Sequence, residues 1–393
     1  MKYFSPYSLI PDKGVIIAQQ RQKPLKTSLI PDLKRELKPG WLMPLLYNYD
    51  AMLYGRWEYW TNLQLVPKDK LHLITQEEDP DQRLANIQQH ILPNEPIPQI
   101  DFDTTYTQGD RGRKMLEICL DKMLTRGGYV NIMTRIEYLL DWVLYGLGHP
   151  HPWFKELPLE PSCCEGASMV LYQLFDLFPL LDNPKDYWGN LIADAKSKGS
   201  QKHTGYFPTP NTVANFLSQI MFCDSKDTRL ETGCEPTIGT GVMTLGASNQ
   251  VLSMVGIDID KILLKACLFS WYMYCPWFAQ PVWYLLDRTD LMWGNALVSP
   301  PHDSAPESIH QKYWRQEYQD IYPVALETKD WQQQMAKIVD LMPKPPQPPG
   351  MTSNKSDDKP NKESSKTKKG KIKKKSVKGF KRPATAKKHQ PLF

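Results

Sequence analysis

The segment Glu235-Pro236-Thr237-Ile238-Gly239-Thr240-Gly241 holds the residue types that most plainly imply chemistry. Two glycines one residue apart, between a strand and a helix, let the backbone approach a ligand closely. They also present open N–H groups at the start of the following helix. About seventeen residues past Gly241, the next apolar run ends in Gly256-Ile257-Asp258-Ile259-Asp260. An acidic side chain at that strand end is placed to accept hydrogen bonds from ribose hydroxyls, by the logic of nucleotide-binding α/β folds. Gly-x-Gly alone equally describes an ordinary tight turn. The acidic strand end at this distance favours a nucleoside ligand.

Upstream stands Gly205-Tyr206-Phe207-Pro208-Thr209-Pro210, just before a helix expected from 211. Alone it reads as a proline-stiffened turn with Thr209 or Asn211 as the helix cap. Its place some 25 residues before the glycine turn gives it weight as part of the same site. Downstream, Gly294-Asn295-Ala296-Leu297 follows a third short strand, and Ser299-Pro300-Pro301-His302 comes next.

In this order, GYFPTP, EPTIGTG, GIDID and GNAL resemble the cofactor half of N6-adenine DNA methyltransferases, and within them the methylation subunits of type I restriction–modification systems. The family pattern is Y/F-x-T-P, D/E-P-x-x-G-T-G, a strand ending G-x-D, and G-D/N-x-L. The resemblance covers about 109–297 and implies a Rossmann-like sheet that binds S-adenosylmethionine across its carboxyl edge. It implies that Glu235, Gly239 and Gly241, with Pro236 and Thr237, surround the methionine part while Tyr206, Thr209 and Pro210 cover it. Asp258 would then hold the ribose and Asn295 the adenine.

Three features depart from that pattern. The strand before the glycine turn reads Thr-Arg-Leu-Glu-Thr-Gly-Cys, whereas a central parallel strand should be almost continuously apolar. Pro208 is an extra proline in the upstream element. The family's N/D-P-P-aromatic element, which hydrogen-bonds the adenine N6 amine and stacks on a flipped base, has its nearest counterpart in Ser299-Pro300-Pro301-His302. A serine hydroxyl can accept one such bond and a histidine can stack. Ser299 stands only four residues after Asn295, however, leaving no room for an intervening strand, so a plain loop competes.

The elements that must position these residues follow from periodicity. Ile132, Ile136, Leu139, Leu140, Val143 and Leu147 recur at helical spacing, and further helices are expected near 166–178 and 185–198. Residues 203–300 alternate: helix 211–222, strand 228–234, helix 241–249, strand 251–257, helix from 260, strand 289–293. Beyond lie one short strand, 321–326, and one helix, about 327–342. The expected class is therefore α/β, an incomplete methyltransferase sheet preceded by a helical domain. A full seven-stranded sheet does not fit, so either the protein is degenerate or another polypeptide supplies the rest. The divisions are 1–105, rich in proline and aromatics with little period; 106–200, helical; 201–343, α/β; and 344–393, a Lys-rich tail.

Charge separates the last part from the others. Residues 351–393 contain 15 Lys+Arg against 3 Asp+Glu, while 1–350 contain 33 against 40. The tail is too poor in large apolar residues to offset its conformational entropy, and it suits DNA phosphates by counterion release. A solubilising tail or a nuclear-import signal are its other readings. Residues 262–286 are long and apolar enough to need a membrane check. Lys265, Pro276, Gln280 and Pro281 favour a buried helix followed by a buried strand instead. Seven cysteines without a C-x-x-C pair, and an N-terminus without an apolar signal core, point to a soluble cytoplasmic protein. His149-Pro150-His151 offers two metal donors but no third, so no metal is expected, and a solvated loop is the simpler reading. The functional expectation is a DNA-binding adenine-N6 methyltransferase-like protein, with a specificity or catalytic partner subunit. Its alternative is a catalytically inactive accessory subunit.

Overall fold

The computed structural model describes residues 37–65, 77, 79–105, 110–124, 129–196, 206–222, 227–297 and 306–317. All belong to the unit Met1–Pro346; the second unit, Gln347–Phe393, holds the Lys-rich tail and lies outside the described residues, as do 318–346. The expected strand 321–326 and helix 327–342 therefore also fall outside.

Eight helices precede the sheet among the described residues: α1 (Met43–Leu53), α2 (Arg56–Gln64), α3 (Pro80–His90), α4 (Arg111–Lys122), α5 (Ile132–Gly146), α6 (Ala167–Leu174), α7 (Phe178–Asp182) and α8 (Trp188–Ala195). Short polar side chains start several of them. Asp79, Asp110 and Asn131 accept N–H bonds in the first turns of α3, α4 and α5. The apolar face expected on α5 is buried at Ile136, Leu139, Leu140 and Val143.

The remaining elements are α9 (Asn211–Met221), β1 (Thr232–Glu235), α10 (Val242–Ala247), β2 (Ser253–Asp258), α11 (Lys261–Tyr274), α12 (Pro276–Ala279), β3 (Asp290–Trp293), β4 (Glu307–Ser308) and α13 (Gln311–Glu317). The sheet is small and mixed. Its order is β1-β2-β3-β4, parallel across the first three strands and antiparallel between β3 and β4. The register pairs Glu235 with Gly256 and Asp258 with Trp293, so the carboxyl ends of β1, β2 and β3 share one edge. The polar sequence of β1 has a physical reason here: it is the sheet's edge strand among the described residues. Thr232 and Cys234 are exposed, so the strand needs no continuous apolar run.

Residues 262–286 are almost wholly buried, but the strand expected after the helix is absent. Pro276 opens α12, Pro281 follows it, and Trp283–Arg288 forms a 3-10 helix. Prolines lack the ladder N–H a central strand would need. Among the described residues no helix is long and apolar enough to cross a membrane. Lys265, buried within α11, is paired by Glu137 (2.8 Å) and Asp141 (2.7 Å) of α5.

The proline- and aromatic-rich N-terminal stretch supplies core. Trp57, Trp60, Leu46 and Leu63 are buried in the same continuous apolar cluster as α5, α11 and Leu291 of β3. Arg56 fastens this layer to the sheet. Fully buried, it donates to Pro98 O (2.8 Å), Ser248 Oγ (2.8 Å), Tyr274 O (2.6 Å) and Asn249 Oδ1, and lies 5.2 Å from the Trp277 ring centroid. A buried cation is tolerated only when its donors are met in this way.

His149 and His151 do not lie in a solvated loop; both are buried. His149 Nε2 donates to Ile309 O (3.3 Å), Nδ1 pairs with the Tyr272 hydroxyl (3.2 Å), and the ring stacks on His310 with centroids 5.5 Å apart. His310 Nε2 donates to Ala279 O (2.9 Å). Aromatic rings seal the group, with Phe154, Trp271 and Trp314 in edge contact. Burial therefore lowers all three side chains below the ordinary imidazole range, His151 and His310 to about 4. Lys265, Lys261, Lys312 and Lys155 add to the effect at His151. The folded state takes up these protons later than the unfolded chain does, so this contribution to stability is present above about pH 6.5 and lost as the pH falls toward 4. Asp50 and Asp141, raised to about 6 by burial, act oppositely. The check is accordingly a difference. Between pH 6.5 and 4, wild type should lose about 1.4 kcal/mol per pH unit relative to His310→Asn in urea unfolding; parallel curves would contradict it.

Candidate functional site

The β1–α10 loop turns where the sequence places its glycines. Gly239 has φ +56° and Gly241 φ +84°, conformations that side chains with a Cβ rarely adopt. At Gly241 a Cβ would also stand 2.7 Å from Cys267 Sγ of α11. Ile238 folds back into the sheet, its N–H bonded to Ile257 O (3.0 Å) and its side chain against the bare Cα of Gly256.

Asp258 meets this loop directly. Its Oδ2 accepts from Gly239 N (2.9 Å) and its Oδ1 from Asp260 N (2.9 Å). Asp260 in turn caps α11 through Ile262 N (2.9 Å) and pairs with Lys196 (2.7 Å). Burial holds the Asp258 carboxyl above the ordinary carboxylate range, opposed by the N–H bonds from Asp260 and Gly239. Glu235, half-buried at the end of β1, accepts from Thr237 N (3.3 Å) and Oγ1 (3.2 Å). Pro236 and Thr237 are exposed.

Tyr206 belongs to the same place. Its ring lies 3.6 Å from where a Cβ on Gly239 would be, its hydroxyl donates to Gly189 O (3.2 Å), and Lys196 Nζ lies 5.0 Å from its centroid. Thr209 is half-buried and Pro210 exposed. Neither Thr209 nor Asn211 caps α9: Pro210 occupies the cap position, its carbonyl accepting from Val213 N (2.9 Å) and Ala214 N (3.0 Å). Beyond β3, Gly294 N bonds Asp258 O (2.9 Å), which sets Asn295 beside the acidic strand end. Asn295 is exposed, and its Oδ1 accepts from Leu297 N (2.9 Å). Ser299, Pro300, Pro301 and His302 lie outside the described residues.

Two parts of this edge escaped the sequence reading. Asp186 is buried and accepts from Thr240 Oγ1 (2.7 Å), Trp188 N (2.9 Å) and Gly189 N (3.1 Å), so it ties α8 to the glycine loop. An aspartate two residues before a helix start is a recognisable capping signal, but nothing in the sequence links it to Thr240. Trp293 stands beside Asp258 at the end of β3, donates to Ile259 O (3.0 Å), and has Lys261 Nζ 3.8 Å from its ring centroid. An aromatic ending a strand level with the acidic residue was the available signal. Among the described residues no group of three His, Cys, Asp or Glu side chains could hold a metal ion.

No protein-family model matches the chain, and no curated protein matches it. Among solved structures, a candidate class I S-adenosylmethionine-dependent methyltransferase from Listeria monocytogenes is similar at 14% identity with a TM-score of 0.31, over 50% of this chain. The match spans 57% of that protein's length.

Asp258 anchors the loop through backbone donors, so Asp258→Ala should leave the Gly239 N–H without its partner and cost about 1–3 kcal/mol in urea unfolding. Asp258→Asn, which keeps an acceptor oxygen, should cost less. An alanine variant within 0.5 kcal/mol (roughly the scatter of neutral substitutions) would show that the contact does not hold the loop.

Proposed function

We propose that the carboxyl edge of this sheet binds S-adenosylmethionine, and that the protein is a DNA-binding, adenine-N6 methyltransferase-like protein. One observation carries this reading: the acidic end of β2 and the backbone of the Gly-x-Gly turn meet at 2.9 Å on one sheet edge. The sequence motifs supply the choice of ligand. The residues present fit an adenosyl group. A carboxylate offers about four acceptor positions, and the two N–H bonds to Asp258 leave capacity for ribose hydroxyls. Tyr206 and Trp293 bring apolar rings to the same edge.

In this reading Asp258 holds the ribose, Asn295 faces the adenine, and Glu235 with Gly239 and Gly241 borders the methionine part. When bound, S-adenosylmethionine supplies a methyl group on a sulfonium. The chain's own contribution is positioning. Clamped by Asp258 and Asp186, the loop presents its backbone without rearrangement, and Tyr206 excludes water from one side. Ser299 would accept a hydrogen bond from the adenine N6 amine and His302 would stack on the base, which orients the amine without requiring either side chain to carry a charge. Residues 351–393 would contact DNA phosphates.

The second reading, a non-catalytic accessory subunit that keeps the fold and works with a partner polypeptide, is favoured by a separate observation. β1 is an edge strand among the described residues, so this sheet lacks strands on that side.

Titrating the full chain with S-adenosylmethionine by calorimetry should show saturable binding that Asp258→Asn weakens about tenfold, or about 1.4 kcal/mol. No binding by wild type would defeat the reading. Binding without methyl transfer to adenine-containing duplex DNA would favour the accessory subunit. DNA affinity should fall steeply with salt, and deleting 351–393 should abolish most of it; unchanged affinity after the deletion would remove the tail from the account.

A further inference from the structure

Helix α9 carries its apolar residues on the side away from its packing partner. Val213, Phe216, Leu217, Ile220 and Met221 recur at i, i+3, i+4, i+7 and i+8, the spacing of one helical stripe. That stripe faces solvent: Phe216 is 61% exposed, Ile220 52% and Met221 66%. The inward side is small. Ala214 and Ser218 are buried, and Ser218 packs against Gly246 of α10 so closely that a Cβ there would collide with it. One exposed large hydrophobe needs no explanation, whereas five contiguous on a single helix mark a docking surface.

The chain itself carries a matching segment. After Glu317, residues 327–342 place Trp331, Met335, Ile338, Val339 and Met342 at i, i+4, i+7, i+8 and i+11, with Lys329, Asp330, Lys337 and Asp340 at other positions and Pro343 after them. Two helices with such stripes bury each other by ridge-into-groove packing. The reach suffices. The sheet order places β4, which α13 follows, three strand spacings from β1, or roughly 14 Å. The ten residues from 317 to 327 span up to about 33 Å. A tether of that length also holds the segment at an effective concentration on the order of millimolar, well above that of a free partner.

We propose that residues 327–342 form an amphipathic helix that docks on the exposed stripe of α9. The test uses the full chain with p-benzoylphenylalanine incorporated at position 216, irradiated and mapped by mass spectrometry. Intramolecular cross-links into 327–342, lost in the Met335→Asp, Ile338→Asp double variant, are the expected result. Cross-links to a second copy, to residues 1–36 or to any other segment, or no cross-link at all, would overturn the proposal. A second measurement guards against a local effect of the probe. In the otherwise native chain, Ile338→Asp should accelerate tryptic cleavage after Lys337 at least about tenfold; equal rates in both proteins would also overturn it. Neither readout involves S-adenosylmethionine, so failure here leaves the reading of the sheet edge untouched.

Discussion

The hydrogen bond from Gly239 N to Asp258 Oδ2 joins the two pieces of sequence on which the functional reading rests. It binds the turn after β1 to the end of β2, and it is possible only because neighbouring residues give way. Gly256 has no side chain, so Ile238 enters the sheet edge. Gly239 and Gly241 accept positive φ, so the chain leaves that edge in the direction of α10. The same carboxylate accepts from Asp260 N, and Asp260 starts α11 while pairing with Lys196. A single acidic strand end thereby sets the loop, the following helix and a lysine of the preceding helical layer.

Buried charge is managed consistently throughout this body. Lys185 sits between Asp103 (3.0 Å) and Asp110 (2.9 Å), Lys265 between Glu137 and Asp141, and Arg56 among carbonyl, hydroxyl and amide oxygens. Such groups contribute less net stability than their geometry suggests, because desolvation offsets most of the attraction. Their effect is on specificity. Each joins segments far apart in the chain, and none tolerates a slipped arrangement that would leave the charge unpaired. Arg56 is the clearest case, connecting the first helical layer to Ser248 and Asn249, which lead into β2.

What the sequence made legible was local and periodic. The glycine turn, the acidic end of β2, the stripe of α5 and the strand–helix alternation of 228–293 all follow from spacing that one element imposes on its own residues. The helices of 43–64 did not show a period because their aromatics are buried on several sides at once, as at Trp57, Trp60 and Tyr47. The expected strand after α11 failed on chemistry that was visible, two prolines that deny ladder N–H groups, while its apolar composition suggested burial and nothing more. Asp186 and the stacked pair His149–His310 are tertiary facts, made by residues 54 and 161 positions apart from their partners. No local pattern announces them.

The central claim, that the loop at 235–241 and Asp258 form an adenosyl site, is tested most directly at the atoms that carry it. In ¹⁵N-correlated spectra of the full chain, addition of S-adenosylhomocysteine should shift the Gly239 and Gly241 amides saturably, together with the Trp293 indole N–H. Saturable shifts confined to residues remote from this edge, or no shifts at any concentration, would contradict it.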